Sequence, residues 1–255
     1  MKQFVITPAS GKRLIGMAAA GLPDVRQALE SGTVVVVAGT TNACVAQEIL
    51  KITGQDADFS PGSFFRGITL PASSEAAGSG RLSGTAFPGD VVIKKGKWNK
   101  GKTIFDVIDE MGEHDVIFKG ANALDAAKGK AGVLIGHPKG GTILSAMQAV
   151  VGRRTRLYVP VGLEKRITDD IDSLAARLNE PGASGPRLFP VPGRVITEIE
   201  ALNLLAGVQA TLCSAGGVCG AEGCLWISLT GSKEQEQAAA EIVENVSNEP
   251  AFRLA

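Results

Sequence analysis

The chain carries no net charge: 26 lysines and arginines balance 26 aspartates and glutamates over 255 residues. No global field therefore draws it toward nucleic acid or an anionic membrane. It has no apolar run approaching the roughly 18 residues that span a bilayer. Its first stretch, Met1-Lys-Gln-Phe-Val-Ile-Thr-Pro8, holds no apolar core of signal-peptide length. The expectation is a cytoplasmic protein without a membrane partner. Four cysteines are few for a disulfide-stapled secreted fold. Cys213, Cys219 and Cys224 are separated by five and then four residues, which matches no zinc spacing, and only His114 and His137 could add imidazole. Neither a metal nor a cofactor is expected, and Cys44 reads as a small core residue.

What is present is 44% hydrophobic residues and 32 glycines, the profile of a glycine-rich α/β protein. Its centre is Val34-Val-Val-Val-Ala-Gly-Thr-Thr-Asn42. Four consecutive valines suit a strand buried on both faces. Gly39 permits a tight turn, and Thr40, Thr41 or Asn42 can cap a helix running to about Ile52. Such a strand–loop–helix junction aims free N–H groups and a helix dipole at one spot, which favours a phosphate or carboxylate. The loop is neither the glycine loop ending in Lys-Ser/Thr of nucleotide triphosphatases nor a Gly-x-Gly-x-x-Gly dinucleotide fingerprint.

Around this centre the pattern predicts helical turns over 12–30, a strand at Asp90–Lys94 and a short amphipathic helix at Thr103–Met111. Phe64–Leu70 could be a strand, and Ser73–Gly80 reads as a loop. Lys95-Gly-Lys-Trp-Asn-Lys-Gly-Lys102 reads as a hairpin tip around an exposed Trp98, with a lid over an anion or a nucleic-acid contact as alternatives. Three strands are expected between residues 115 and 161, ending in Gly120–Asp125, His137–Thr142 and Gly162–Arg166. Ligands of open parallel sheets sit outside the carboxyl ends of strands, so these clusters and Gly39–Asn42 could line one cleft. After Gly182-Ala-Ser-Gly-Pro186, which resembles a linker, the order strand, helix, strand, strand, helix fits a ferredoxin-like α+β unit, with a last strand at 251–254. The expected architecture is a Rossmann-like α/β domain over 1–180 and a ferredoxin-like domain over 187–255.

The set Gly39-Thr-Thr-Asn42, Gly120-Ala-Asn-Ala-Leu-Asp125, Lys139-Gly-Gly-Thr142 and Glu164-Lys165 resembles, in order, the loops of the superfamily of ribose-5-phosphate isomerases, glucosamine-6-phosphate deaminases and CoA transferases. The likeness is closest to the isomerase. It implies an anion grip at Gly39, Thr40, Thr41 and Asn42. Further substrate contacts would come from Lys119, Gly120, Asn122, Gly140, Gly141, Thr142, Glu164 and Lys165. His137, Lys139 and Asp125 are the candidates for moving protons and balancing charge. Two positions depart from the family: Asn122 replaces its first loop aspartate, and Gln148 stands where it has a proton-shuttling glutamate. Glutamine cannot accept a proton from carbon at neutral pH. The reading is thus a binder of a small anionic metabolite, a sugar phosphate or related acid, with isomerase- or lyase-type chemistry. The alternative is a non-catalytic sensor, and a homo-oligomer is compatible with both.

Overall fold

A computed structural model describes residues 1–67, 69, 70 and 87–253. It is an α/β fold with one mixed central sheet and two small antiparallel sheets. The central sheet has the order β10-β8-β5-β2-β3-β4. Its strands are β2 (Thr33–Val36), β3 (Val91–Lys94), β4 (Lys97–Trp98), β5 (Val116–Phe118), β8 (Arg156–Pro160) and β10 (Arg194–Ile196). β2, β5, β8 and β10 run parallel, while β3 is antiparallel to β2. Every residue of β2 is buried, as its valine run requires when both faces are covered. From β2 the chain passes to one side to form β3 and β4, and later to the other side for β5, β8 and β10. The crevice outside the carboxyl ends of β2 and β5 is therefore the place where strand order reverses.

Three helices cover the region leading to that crevice. α1 (Pro8–Ala20) is capped by Thr7, whose hydroxyl accepts from Ser10 N–H at 3.1 Å. α2 (Pro23–Ser31) follows, and α3 (Thr40–Ile52) leaves the end of β2. Gly16 lets α1 lie directly on α3: a side-chain carbon there would come within 2.8 Å of the Cys44 backbone. Arg13 fastens the pair by donating to Glu48 and Gln47 on α3 and to Glu249 near the carboxyl end.

Several expectations need correction. β7 (Lys130–Ile135) is not a strand of the parallel sheet; it pairs antiparallel with β6 (Ala123–Asp125) and with β9 (Arg187–Val191). Only residues 126–129 join β6 to β7. That is a hairpin connection, since a parallel crossover takes a dozen residues or more. The segment 103–111 forms two 3-10 turns instead of a helix, started by a Thr103/Asp106 capping box. No strand forms among the described residues of 64–70, nor at 251–253, and the expected loop at 73–80 falls outside the described residues. Trp98 is half-buried against Phe59 instead of exposed, although Lys95 and Gly96 do make the hairpin turn with positive φ.

The expected boundary near 180–187 does not separate the sheets. β9 joins β7, and β10 extends the central sheet beside β8. The third sheet combines both ends of the chain: β1 (Lys2–Ile6), which the pattern reading omitted, pairs with β12 (Leu225–Thr230), and β12 with β11 (Gln209–Ala215). α6 (Glu198–Ala206) and α7 (Lys233–Val246) accompany it, each begun by a capping box, at Thr197 and Ser232. α4 (Gly141–Arg153) and α5 (Ile171–Leu178) complete the helices.

Candidate functional site

The end of β2 is built around an asparagine. Asn42 is fully buried, and its amide donates to Val37 O at 2.7 Å and Phe118 O at 3.1 Å, clamping β2 to β5 just past their ends. Its Oδ1 has no partner among the described residues. The cap of α3 is Gly39, with no side-chain acceptor, so Thr40, Thr41 and Asn42 do not cap the helix as expected; they are its first turn. Thr41 is 2% exposed and its hydroxyl also lacks a partner. An uncapped first turn, a buried hydroxyl and a buried carbonyl therefore sit together at the positive end of a helix dipole.

Two lysines are carried to the same edge. Lys119 follows β5, where its N–H donates to Tyr158 O, and among the described residues its ammonium reaches Gly120 O alone, at 3.4 Å. Lys165 follows β8 and donates to Ala121 O at 3.0 Å. Neither makes an ion pair among the described residues. Both lysines are half-buried, which strips part of the water from around their ammonium groups. This desolvation drops Lys119 to about 8, opposed by Asp90 and assisted by Arg66 and Lys165. Desolvation likewise lowers Lys165, opposed mainly by Glu164, with Lys12 lowering it further and Glu198 opposing.

Two glutamates complete the cluster. Glu198 begins α6 just after β10 and is fully buried; its Oε2 accepts from Leu163 N–H at 2.9 Å, while Oε1 has no partner. Glu164 Oε2 is also buried, and neither this oxygen nor Glu198 Oε1 has a partner among the described residues. Each carboxylate lies against a glycine. A side-chain carbon at Gly11 would meet Glu198 Cγ and Cδ at 3.1 Å, and one at Gly162 would fall 2.7 Å from Glu164 Cδ. Burial and then the Glu164 charge push Glu198 up to about 7, against the pull of the Leu163 N–H and Lys165. A carboxyl poised there can hold or release a proton at neutral pH.

Asp90 organises the floor. It is 1% exposed and accepts from Ala38 N–H at 2.9 Å, from Ile104 N–H at 2.8 Å and from two nitrogens of Arg66. Its oxygens are thus fully engaged, and it fixes the backbone that leads into Gly39.

The expected site residues divide into three groups. Gly39, Thr40, Thr41, Asn42, Lys119, Gly120, Glu164 and Lys165 do lie at the carboxyl ends of β2, β5 and β8. Asp125 lies at the end of β6 instead: its oxygens accept from Lys128 N–H and Ile171 N–H, fixing the β6–β7 turn and the start of α5. Asn122 is a tie within the hairpin, its Oδ1 accepting from Leu134 N–H. His137 and Lys139 are exposed in the loop after β7, which bends through Gly140 and Gly141 at positive φ into Thr142 and α4. His137 accepts from Lys139 N–H and borders a shallow cleft of about 180 Å³ with Leu144, Arg187 and Phe189. No described hydrogen bond joins either side chain to the buried cluster.

Pattern reading missed Glu198, Asp90, Arg66, Gly11 and Lys12. For Glu198 a signal existed: it starts a capped helix right after the apolar Val195-Ile196, the same logic that singled out Gly39. Gly11 and Asp90 gave none, because their roles depend on segments distant in sequence. Cys44 is half-buried and burial pushes its thiol up to about 11, away from nucleophilic use. Among the described residues no helix is long and apolar enough to cross a membrane, and no three His, Cys, Asp or Glu side chains converge as a metal would need. No family model, curated protein or solved structure matches the chain.

Proposed function

We propose that the chain binds a small anionic metabolite, a sugar phosphate or related acid, outside the carboxyl ends of β2, β5, β8 and β10, and carries out isomerase- or lyase-type proton transfer there. One observation carries the reading. Lys119 and Lys165 are half-buried cations whose described hydrogen-bond acceptors are backbone carbonyls alone. A cation partly withdrawn from water without a direct ion pair is costly, and a bound anion would supply one. The uncapped turn of α3 adds N–H donors to the same charge. Glu198 and Glu164 take the proton-carrying role first considered for Asp125, while His137 and Lys139 are assigned to the rim.

The ordered loop motifs support kinship with the ribose-5-phosphate isomerase superfamily. In that reading the four parallel strands are a Rossmann-like half, and β11, β12, α6 and α7 the remnant of a ferredoxin-like unit completed by β1. The basic hairpin is read as a solvated tip: Lys94, Lys100 and Lys102 each face a carboxylate, of Glu110, Asp58 and Asp106, which weakens any pull on nucleic acid.

The test is thermal unfolding with inorganic phosphate, ribose 5-phosphate and citrate, since a ligand of the native state alone must raise the transition. Stabilisation by at least one, lost in Lys165→Met, is expected. A panel without effect on wild type refutes the reading. Asn122, tied into the hairpin where the family has an acid, favours the second reading of a sensor. Turnover of a stabilising sugar phosphate by wild type and not by Glu198→Gln decides for the enzyme.

A further inference from the structure

We propose that Lys119 is a nucleophilic amine that condenses with the carbonyl of a small substrate bearing a carboxylate or phosphate, forming an imine at the end of β5. This rests on the reading of the carboxyl edge as an anion site, and it specifies the substrate class: an anionic aldehyde or ketone.

Three features of the site carry it. First, the amine is uncommitted. Its described hydrogen bond is a long one, 3.4 Å, to the carbonyl of the adjacent residue. By contrast Lys51, Lys94, Lys100, Lys128 and Lys130 all pair with carboxylates. The carboxylate that acts most on it, Asp90, has both oxygens engaged by backbone N–H groups and Arg66. Second, the residue beside the amine is a glycine next to an unused acceptor. Among the described residues a side-chain carbon at Gly120 would make ordinary contacts, with Asn42 and Pro160 O at 3.9 Å, and Asn42 Oδ1 is buried without a partner. A carbinolamine hydroxyl or imine N–H is the kind of donor that atom lacks. Third, the charges of Arg66 and Lys165 act on the amine and add to the effect of desolvation. Cationic neighbours and desolvation are the usual means of exposing a lysine lone pair. With Lys119 brought down to about 8, roughly one molecule in ten carries the neutral amine at pH 7.

The step balances. The amine lone pair forms the C–N bond, the carbonyl oxygen takes one proton and then a second, and the C–O bond breaks to release water. Overall, lysine ammonium and carbonyl give a protonated imine and one water, with charge conserved. Both protons of the released water originate on the lysine ammonium, so the step consumes no further acid.

The experiment incubates wild type at pH 7 with glyoxylate or dihydroxyacetone phosphate and sodium cyanoborohydride, and follows alkylation of each lysine by peptide mass mapping. Lys119 should react about tenfold or more faster than exposed Lys100 and Lys139, and phosphate in excess should slow it alone. Equal rates at all three lysines overturn the proposal. If phosphate stabilises the fold but Lys119 is not preferred, the imine fails and the anion site stands. If Lys119 is preferred yet phosphate neither stabilises the fold nor slows labelling, the anion reading fails and the amine chemistry remains. The wild-type comparison needs no variant; Lys119→Arg, checked for an unchanged unfolding transition, should lose the label.

Discussion

Gly11 on α1 packs directly against the carboxylate of Glu198 on α6, so that no side chain fits at position 11 while Glu198 keeps its place. The same carboxylate holds the Leu163 N–H that opens the turn carrying Glu164 and Lys165. One glycine thus controls the seating of three site residues.

Gly11→Ala should therefore act through Glu198. The added methyl displaces the carboxylate and breaks its bond to Leu163, costing about 1–3 kcal/mol by overpacking and a lost buried hydrogen bond. Better helix propensity returns only about 1 kcal/mol. In a Glu198→Ala background the cost should largely vanish. Urea midpoints of the four proteins form the cycle, and an identical penalty in both backgrounds would refute the coupling.

Glu198 should also write its titration into stability. Its ordinary value is 4.5 and the fold raises it to about 7, facing Glu164 and Lys165, with Lys12 acting beyond Lys165. Between those pH values the folded chain keeps a proton that the unfolded chain releases. This contribution is complete below pH 4.5 and is lost as pH rises through about 7. Glu198→Gln keeps a neutral, hydrogen-bonding side chain, so its melting temperature should exceed wild type at pH 8 and converge with it near pH 4.5. The gap corresponds to on the order of 3 kcal/mol at most. A constant difference across the range would sink the assignment.

Lys119 has the opposite sign. Its folded value, about 8, lies below the ordinary 10.5, so the unfolded chain binds more protons between them. The penalty for embedding the charge is present below pH 8 and relieved as pH climbs toward 10.5. Lys119→Met should melt higher than wild type at pH 7, with the advantage shrinking by pH 10, and should lose stabilisation by phosphate. Calorimetric scans at the two pH values check both halves.

Asp90→Ala should be among the most damaging single changes. It strands Arg66 and frees two buried N–H groups, at Ala38 and Ile104, an expected loss of about 3–5 kcal/mol. A chemical-denaturation midpoint close to wild type would show that the aspartate is dispensable to the β2–α3 junction.

The exposed loop offers the contrast. Lys139→Ala should leave phosphate affinity within about threefold, as exposed charges contribute little. Lys165→Met should lower it by about tenfold or more, ~1.4 kcal/mol. Isothermal titration of both variants measures the ranking, and the reverse order would move the anion site to the His137 loop.

Much of the local structure was legible because its causes are local. The valine run of β2, Ser232 at the head of α7, and the Lys95-Gly96 turn each follow from residues within a few positions of one another. β6 was hidden because Gly120–Asp125 has the look of a polar loop at a strand end, and without it the short link before β7 could not mark a hairpin. β1 was harder, since its partner β12 lies more than two hundred residues away. Of the site, Gly39–Asn42, Lys119 and Lys165 could be placed at strand ends from apolar periodicity followed by polar residues. Asp125, chosen by the same rule, proved to be occupied by backbone donors that no pattern reveals.

By itself the chain's order of residues determined an α/β protein with a buried valine strand feeding a helix through Gly39, since hydrophobic period and backbone freedom are properties of neighbours. Tertiary packing alone decided that Glu198 meets Gly11 and feels the charges of Glu164 and Lys165, and that Lys119 makes no ion pair among the described residues. Proton affinity depends on desolvation and on nearby charge, and both are set by segments that only folding brings within a few ångströms.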